Sequence, residues 1–514
     1  MNPVELEVYR HLFASIAEEM GVVLMRSSFS PNIKERRDFS CALFDADGEM
    51  VAQAAHIPVH LGSTPMSVAA ARQQVAMEAG DHVVLNDPYS GGTHLPDITF
   101  VSPVFAGGEE PLFYVANRAH HADVGGATPG SLGLSRSVDD EGIRIAPTKW
   151  SEGLEDDIAS ASRTPEERRG DLKAQIAANR RGIARLCEEF ERRGPALSEA
   201  AEALQTHSER FMERMLDEMP SGTWRFEDEL EGDGYNEEPI AIRAELTLES
   251  DRAVVDFSTS ADQVEGPVNV PRAVTVSATL YAFRCLADDR LPSNGGYMRR
   301  IAVETRKGSV VDARPPAPVA LGNVETSQRI TDVVFGALAE AMPDRIPAAS
   351  CGTMNNITVG GRDPRRGDAN YAYYETIAGG SGAGPGYGGA SAVHTHMTNT
   401  LNTPVEALEH AYPFRIEEYG RRRDSGGDGE FRGGDGVIRR YLFGSDATVT
   451  VMTDRRAKGP YGLAGGDDGK PGINRLIAAD GEERKLGAKE VVDVKKGDRI
   501  SLETPGGGGW GTEG

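Results

Sequence analysis

Apolar residues recur at helical spacing through the first 25 residues, as at Val8, Leu12 and Ile16, and predict an opening helix over residues 4–25. Residues 39–54 contain the turn Asp45–Gly48 between two short apolar runs, which predicts a hairpin. A helix over Ser63–Ala79 is predicted next. Short strands are then predicted at Val83–Leu85, Ile98–Val104 and Leu112–Ala116. The polar residues between these strands fall at strand ends and in loops, where sites are often built on a rigid scaffold.

Two long helices are predicted in the middle of the chain, over Pro165–Arg193 and Leu197–Met219. The first begins with the capping residue Thr164 followed by proline in the first turn. From Gly222 to Ser258 the pattern changes to alternation, which indicates antiparallel strands. Further helices are predicted at Ala273–Ala287, at Ser327–Ala341 and near Pro404, and further strands at Thr448–Met452 and Arg499–Leu502.

Helices and antiparallel strands in separate blocks indicate an α+β protein, not a repeated βαβ unit. We expect several layers, with mixed or antiparallel sheets, long helices and a β-rich C-terminal region. A chain of 514 residues exceeds one typical core. We predict an N-terminal α/β metal-site region at 1–160, a helical hairpin at 161–220, an α+β region at 221–410 and a β-rich region at 411–514.

Composition and charge narrow the class of partner. A formal net charge of −24 argues against nucleic acid or an anionic membrane, because both require a basic surface. The sequence has no run of about 18 apolar residues, and its first residues are acidic and lack the pattern of a secretory signal. The four cysteines are far apart and form no C-x-x-C pair, so we expect free thiols. Together these features predict a cytoplasmic protein.

Common catalytic and nucleotide motifs are absent from the sequence. No G-x-x-x-x-G-K-[ST] phosphate loop occurs, and the glycine run Gly384–Gly389 lacks the strand and helix that a dinucleotide site requires. We expect that run to be a loop. No G-x-S-x-G elbow and no Ser-His-Asp arrangement can be recognised, which disfavours a serine hydrolase.

Two short motifs carry the candidate chemistry: H-L-P-D at His94–Asp97 and H-H-A-D at His120–Asp123. The chain has only 11 histidines, and these motifs concentrate imidazole and carboxylate groups, which Zn, Mn and Fe prefer. Pro96 disfavours a helix, so the first motif requires a turn or extended geometry. In an extended segment, one of His120 and His121 could face a site while the other packs. A structural His–Asp contact is the alternative to a metal site.

Three further segments are weaker candidates. The charged run E-R-R-D at Glu35–Asp38 could supply an oxygen ligand, but a solvated stretch is the simpler interpretation. His56 and His60, with Pro58 between them, are expected in a loop or beside ligands. The run His394–His396 resembles an alternating strand with both imidazoles on one face.

The sequence as a whole resembles the hydantoinase B family, which includes the N-methylhydantoinase B subunit, the C-terminal portion of 5-oxoprolinase and the acetone carboxylase α subunit. The similarity extends over essentially the whole chain. The segments that carry it are Glu35–Cys41, Asn86–Asp97, Arg118–Gly126, Gly322–Gln328, Asn399–Thr400 with Pro404–Glu406, and Thr504–Gly511.

The resemblance implies a divided reaction on a hydantoin, 5-oxoproline or related lactam. A separate hydantoinase A-type subunit would use ATP and Mg to phosphorylate the substrate oxygen. The present chain, with its divalent metal, would complete the hydrolysis by attack of a metal-bound hydroxide on the activated carbon. The resemblance further implies a hetero-oligomer of two A-type and two B-type subunits.

Carried over by position, the resemblance implies His94 and Asp97 as metal ligands. A third ligand would come from the H-H-A-D string, with His120 favoured and His121 as the alternative. The fourth would be Asp38, with Glu35 close behind. Asp123 would orient a ligand imidazole or relay a proton.

Two alternatives remain open at this point. One is a carboxylase subunit of the acetone carboxylase type, although those subunits are longer. The other is a non-catalytic assembly subunit whose His and Asp residues are structural.

Overall fold

The computed structural model describes residues 1–54 and 56–512. The α-helices in this part of the chain are α1 (Pro3–Ser27), α2 (Pro31–Lys34), α3 (Ser63–Gln74), α4 (Glu152–Ala161), α5 (Pro165–Arg193), α6 (Ala196–Asp217), α7 (Arg272–Leu286), α8 (Gly295–Met298), α9 (Ser327–Ala341) and α10 (Val405–Ala411). Helix α1 begins with a capping box between Asn2 and Glu5, and Gly194 ends α5 in a conformation with φ of 61°.

An N-terminal six-stranded sheet carries the candidate metal residues. Its strands are β1 (Phe39–Asp45), β2 (Met50–Gln53), β3 (Val83–Leu85), β4 (Asp97–Val104), β5 (Phe113–His120) and β6 (Thr148–Lys149). They are arranged in the order β2-β1-β5-β4-β3-β6, and each neighbouring pair is antiparallel. Strands β4 and β5 are buried along their whole length, so the centre of this sheet is covered on both faces.

The two faces of the N-terminal sheet pack into different cores. Cys41 and Leu43 of β1 belong to a core that also contains buried residues of α1, α5 and α6. Ala42 and Phe44 alternate with them along β1 and therefore point to the opposite face of the sheet. They belong to a larger core that contains residues of α7 and α9. That larger core contains residues from all four predicted regions of the chain. Because the regions share this core, it does not mark where one region ends and the next begins, and the boundaries stay a prediction.

The central and C-terminal sheets complete the fold. The central sheet has the order β10-β9-β8-β7, from β7 (Gly222–Leu230), β8 (Ile240–Leu248), β9 (Ala253–Asp256) and β10 (Ile301–Glu304). The C-terminal strands are β11 (Asn356–Asp363), β12 (Ala369–Glu375), β13 (Phe414–Arg422), β14 (Gly436–Phe443), β15 (Ala447–Met452), β16 (Ile473–Ile477), β17 (Glu483–Leu486), β18 (Lys489–Val494) and β19 (Arg499–Glu503). They form sheets of order β12-β11-β15-β18 and β13-β14-β19-β16-β17.

The glycine-rich segments of the C-terminal half pack against one another. The run Gly506–Gly509 lies between the loops that contain Gly382, Gly426 and Gly433. Gly507 N donates to Gly434 O at 2.9 Å, and a Cβ on Gly507 would lie 2.0 Å from Ser381 O. Close approach of backbones therefore explains these glycines, because a side chain would occupy the space of a neighbouring peptide.

The observed architecture confirms the predicted α+β class, with antiparallel and mixed sheets and a strand-rich C-terminal region. Helix α5 has the predicted bounds, whereas α3 ends at Gln74, five residues before the predicted end. The strand predicted to end at Ala116 continues to His120.

The run His394–His396 is not a strand, because Val393 makes only an isolated bridge and His396 has a φ of 57°. None of the helices in the described residues combines the length and apolar character that a membrane span needs.

Candidate metal centre

His94, Asp97 and His120 bring three potential ligand atoms together at the end of the N-terminal sheet. His94 Nε2, Asp97 Oδ1 and His120 Nδ1 form a triangle in which each pair of atoms is 3.2 Å apart. All three side chains are buried. Donor atoms that share one divalent ion at about 2.0–2.2 Å lie about 3–3.5 Å from one another, so the triangle has the dimensions of a ligand set.

The sheet and one tight turn create this triangle. Asp97 begins β4 and His120 ends β5, and the two residues are direct partners in the antiparallel register. His94 precedes β4 in a turn in which Asp97 N donates to His94 O at 3.0 Å. The turn brings the imidazole of His94 back over Asp97, as the proline in the motif permits.

Asp97 is the electrostatic centre of the cluster. Its Oδ2 atom accepts hydrogen bonds from Thr93 Oγ1 at 2.6 Å and from Asn323 Nδ2 at 3.2 Å, and lies 3.4 Å from His60 Nε2. Burial by itself raises the pKa of a carboxyl group, but the neighbouring His94 charge and the imidazole hydrogen bonds hold the pKa of Asp97 well below its usual range. Asp97 is therefore a buried carboxylate, the form that binds a cation.

The backbone fixes the orientation of the His94 ring. His94 Nδ1 lies 3.0 Å from Ala320 O, which can only accept, so Nδ1 carries a proton and Nε2 is the ring nitrogen that faces the cluster. Glu141 holds the segment just before this carbonyl, because its Oε1 accepts from Val319 N and Ala320 N at 2.9 Å each. A backbone carbonyl that orients an imidazole in this way is common behind metal-bound histidines.

His120 is positioned by an aromatic ring. The Tyr374 ring stacks on it with centroids 4.6 Å apart, and Tyr374 donates through its hydroxyl to Asn356 Oδ1 at 2.9 Å. His120 Nε2 is buried and has no hydrogen-bond partner among the described residues. Burial lowers the pKa of His120, and the contact with Asp97 offsets part of that effect.

The cluster forms the wall of a small cavity of about 20 Å³, a volume that accommodates one water molecule or one ion. Asp38 also lines it, and Asp38 O accepts from His120 N at 3.0 Å. The residues of the wall are Asp38, Ile57, Val59, His60, His94, Asp97, His120, Asn323, Val324, Met354, Tyr374, Thr376, Met397 and Thr398.

A serine, a histidine and an aspartate do line up here, although the sequence pattern did not reveal it. Ser40 Oγ lies 2.8 Å from His60 Nδ1, and His60 Nε2 lies 3.4 Å from Asp97 Oδ2. Ser40 is buried in β1 and is not among the residues of the cavity wall. His60 therefore contacts Asp97 and also lines the cavity, and the expectation that it lies in a loop or beside the ligands stays a prediction.

The other candidate residues bond elsewhere. His121 faces α5, where its ring nitrogens lie 2.9 Å from Gln175 Oε1 and 2.6 Å from Arg168 Nη1. Asp123 accepts from Gly130 N at 3.1 Å and pairs with Arg163 Nη1 at 2.8 Å, so it ties the loop after β5 to the segment before α5. Glu35 is half-buried and is the first residue after α2, at its C-terminal cap. The structure thus groups Asp38, His94, Asp97 and His120 around one cavity and places His121 and Asp123 in other contacts.

The residues present fit a divalent ion. Two imidazole nitrogens and a carboxylate oxygen meet at ligand spacing. Asp38 lines the same cavity, but its carboxylate lies outside this group of three and is 3.8 Å from Arg36 Nη2. An unpaired buried atom such as Asn323 Oδ1 costs free energy that a bound ion or substrate can offset. Asn323 and Tyr374 received no role from the sequence pattern, although Asn323 lies in Gly322–Gln328, one of the segments that carry the family resemblance. The sequence signal that could have pointed to Asn323 is a polar residue in the otherwise non-polar stretch from Leu321 to Val324.

Comparisons with known proteins identify the family of the chain. A family model described as hydantoinase B/oxoprolinase matches residues 2–513. An uncharacterised protein of Methanocaldococcus jannaschii is 40% identical over 100% of this chain and 91% of its own length. The 5-oxoprolinase of Dictyostelium discoideum is 39% identical over 99% of this chain, which spans only 40% of that relative.

A solved structure extends the comparison to three dimensions. The ATP-dependent caprolactamase from Pseudomonas jessenii superimposes with a TM-score of 0.92 at 28% identity, over 100% of this chain and 91% of that chain. The family match and the full-length similarity lead to one conclusion: the chain belongs to the hydantoinase B/oxoprolinase family.

Proposed function

We propose that this protein is the metal-bearing B subunit of an ATP-dependent cyclic amidohydrolase that opens a hydantoin, 5-oxoproline or a related lactam. The observation that carries the proposal is the triangle of His94 Nε2, Asp97 Oδ1 and His120 Nδ1, with 3.2 Å between each pair of atoms. The proposed ligand set is these three residues and Asp38, which lines the same cavity.

The activities of the relatives support the substrate class. One relative is a 5-oxoprolinase and one structural neighbour is an ATP-dependent caprolactamase, and the substrates of both are cyclic amides. An unstrained amide resists water, so its hydrolysis is faster once the carbonyl oxygen has been activated. ATP is the activating reagent that the neighbour's name specifies.

The division of labour between subunits is part of the proposal. The sequence contains no phosphate loop, and this chain spans 40% of the 5-oxoprolinase it resembles. We assign the ATP- and Mg-dependent phosphorylation to a hydantoinase A-type partner, and completion of the hydrolysis to the present chain. We expect the assembly to contain two subunits of each type.

A divalent ion such as Zn, Mn or Fe would supply Lewis-acid chemistry here and make water a nucleophile near neutral pH. The chain's own residues prepare that step. Asp97 stays ionised, Ala320 O holds the proton of His94 on Nδ1, and Tyr374 fixes the plane of the His120 ring by stacking. The cavity of about 20 Å³ has room for about one water molecule, and the burial of His94, Asp97 and His120 strengthens electrostatic interactions among them.

We assign supporting functions to the remaining candidate residues. His121 anchors the end of β5 to α5 through Gln175, and Asp123 anchors the following loop through Arg163. Both contacts fix the strand end that presents His120, so His121 and Asp123 position a ligand. Glu35, next to the buried Arg36, sets the turn that leads to Asp38.

The experiment that tests the proposal uses the chain assembled with its A-type partner. His94→Ala should remove the metal and abolish ring opening of 5-oxoproline, while ATP-dependent phosphorylation by the partner continues. Purified wild-type protein that binds no Zn, Mn or Fe, or a His94→Ala assembly with normal turnover, would contradict the assignment. Product formation that requires bicarbonate would identify a carboxylase instead of a hydrolase.

A further inference from the structure

Asn323 lies at the cluster without belonging to the proposed ligand set. It sits in a π-helical turn, Gly322–Thr326, that leads into α9. Its Nδ2 atom is 3.1 Å from His94 Nε2 and 3.2 Å from Asp97 Oδ2. The side chain lines the cavity and is buried. Single π-helical turns occur often at functional sites, since they displace one side chain from the regular helical position.

The surrounding backbone keeps Asn323 in this place. A Cβ on Gly322 would lie 1.9 Å from Asn269 O, so the turn packs directly on a neighbouring peptide. Ser327 Oγ donates to Asn323 O at 2.7 Å. The carboxamide is therefore presented to the cluster by a backbone that is held in place on both sides.

The oxygen of the Asn323 carboxamide makes no hydrogen bond in this arrangement. Asn323 Oδ1 is buried and has no hydrogen-bond partner in residues 1–54 and 56–512. A buried acceptor without a partner is destabilising, because it has given up its hydrogen bonds with water and gained none in return. Asn86 and Asn269 hydrogen-bond through both of their polar atoms, whereas Asn32 and Asn294 each leave Nδ2 without a partner. Asn323 differs from these two because its unpaired atom is an oxygen, which can bind a cation.

The orientation of His94 links this unused oxygen to the ion. Because His94 Nδ1 donates to Ala320 O, Nε2 is the ring nitrogen available to an ion, and Asn323 Nδ2 lies 3.1 Å from it. An ion bound at His94 Nε2 would end the contact of the amide N–H with this ring nitrogen and leave Asp97 Oδ2 as its acceptor. An amide nitrogen has no lone pair to offer a cation, whereas the amide oxygen does. Rotation about the terminal torsion, which is broad for asparagine, would put Oδ1 where Nδ2 now lies.

We propose that Asn323 Oδ1 is a further ligand of the metal ion, a proposal that rests on the metal site proposed above. The donor set would then contain oxygens from Asp38, Asp97 and Asn323 and nitrogens from His94 and His120. Five protein donors exceed the four of a tetrahedral zinc site, and an oxygen-rich set favours Mn²⁺ or Fe²⁺. The site is therefore assigned to a metal of higher coordination number.

The test measures binding of Mn²⁺ and Co²⁺ to the purified full chain, with the visible absorption of bound Co²⁺ as a reporter of coordination number. Asn323→Ala should weaken Mn²⁺ binding at least about tenfold and change the Co²⁺ spectrum towards that of lower coordination. Asn323→Asp, which keeps the shape and an oxygen donor, should retain binding and the wild-type type of spectrum. Asn370→Ala, the same substitution at an exposed position of β12, is the matched control and should alter neither.

Two results would overturn the proposal. Wild-type binding affinity in Asn323→Ala would show that the carboxamide is not a ligand. A weaker affinity with an unchanged Co²⁺ spectrum would show that it acts on a neighbouring ligand instead. A wild-type chain that binds neither ion would overturn the metal site itself, so that failure is distinguishable from failure of the Asn323 assignment.

Discussion

Asp97 and His120 face each other across β4 and β5 as partners in the antiparallel register, and Asp97 Oδ1 lies 3.2 Å from His120 Nδ1. The hydrogen-bonded ladder between β4 and β5 sets this pair. A shift of the register by one residue would turn the side chains of the shifted strand to the opposite face of the sheet. The sheet therefore supplies a rigid base for the cluster, and His94 is added by the preceding turn.

Replacing Asp97 should abolish metal binding. Asp97→Asn keeps the shape but removes the charge around which His60, His94 and His120 are arranged. We expect an affinity loss larger than the roughly 10–100-fold that contacts outside the ligand set contribute. Metal analysis after dialysis and calorimetric titration measure it. Asp139→Asn, at an exposed aspartate, is the control, and equal metal contents in the two variants would contradict the assignment.

Tyr374 should act through its ring more than through its hydroxyl. Tyr374→Phe keeps the stacking on His120 and loses a hydrogen bond to Asn356, at a cost of about 1 kcal/mol. Tyr374→Leu removes the stacking, and metal affinity should fall about tenfold. Titration of both variants with Mn²⁺, beside urea unfolding of the metal-free chains, separates affinity from stability. Equal affinities in the two variants would exclude a function for the ring.

Glu141 should make stability depend on pH. Burial raises the pKa of Glu141 from its ordinary value of 4.5 to about 7, although hydrogen bonds from Ala320, Ser135 and Val319 oppose the rise. Between those two values the folded chain binds a proton that the unfolded chain has lost, so the stabilisation present below pH 4.5 is lost as pH rises towards 7.

Glu141→Gln provides the measurement. Its neutral amide should remove this part of the pH dependence, which amounts to roughly 3–4 kcal/mol for a pKa that rises from 4.5 to about 7, because one pKa unit corresponds to about 1.4 kcal/mol. The free energy of unfolding in urea, measured at about pH 4 and about pH 8 on either side of the transition, should therefore fall less in Glu141→Gln than in the wild type. Parallel changes in the two proteins would show that another group is responsible.

A single methyl group at Gly507 should destabilise the C-terminal region. Its Cβ would lie 2.0 Å from the backbone oxygen of Ser381, which cannot move away as a flexible side chain could. Gly507→Ala should lower the free energy of unfolding by about 1–3 kcal/mol. Gly420→Ala, at a strand position with no atom within 4 Å of the new Cβ, is the control for thermal and urea unfolding. Equal stability of the two variants would contradict the packing argument.

Local patterns were sufficient for most of the helices and strands. Pro165 in the first turn and Gly194 after the last turn mark the bounds of α5 in the sequence. Alternation of apolar and polar residues identified β7 and β8. The pattern failed at His394–His396, where alternating polar residues follow an irregular path instead of a strand. Alternation alone does not distinguish a strand from such a loop, because both lack helical periodicity and only pairing with a neighbour makes a strand.

The sequence by itself determined the family, the α+β class and the two motifs that contain His94, Asp97 and His120, because residue type and short spacing are local properties. Tertiary structure decided which of His120 and His121 faces Asp97, since the β4–β5 register turns one inward and the other towards α5. It also decided that Asn323 and Tyr374, more than 200 residues further along the chain than His94 and His120, complete the wall of the cavity. Such contacts depend on how sheets and helices pack, which no local pattern encodes.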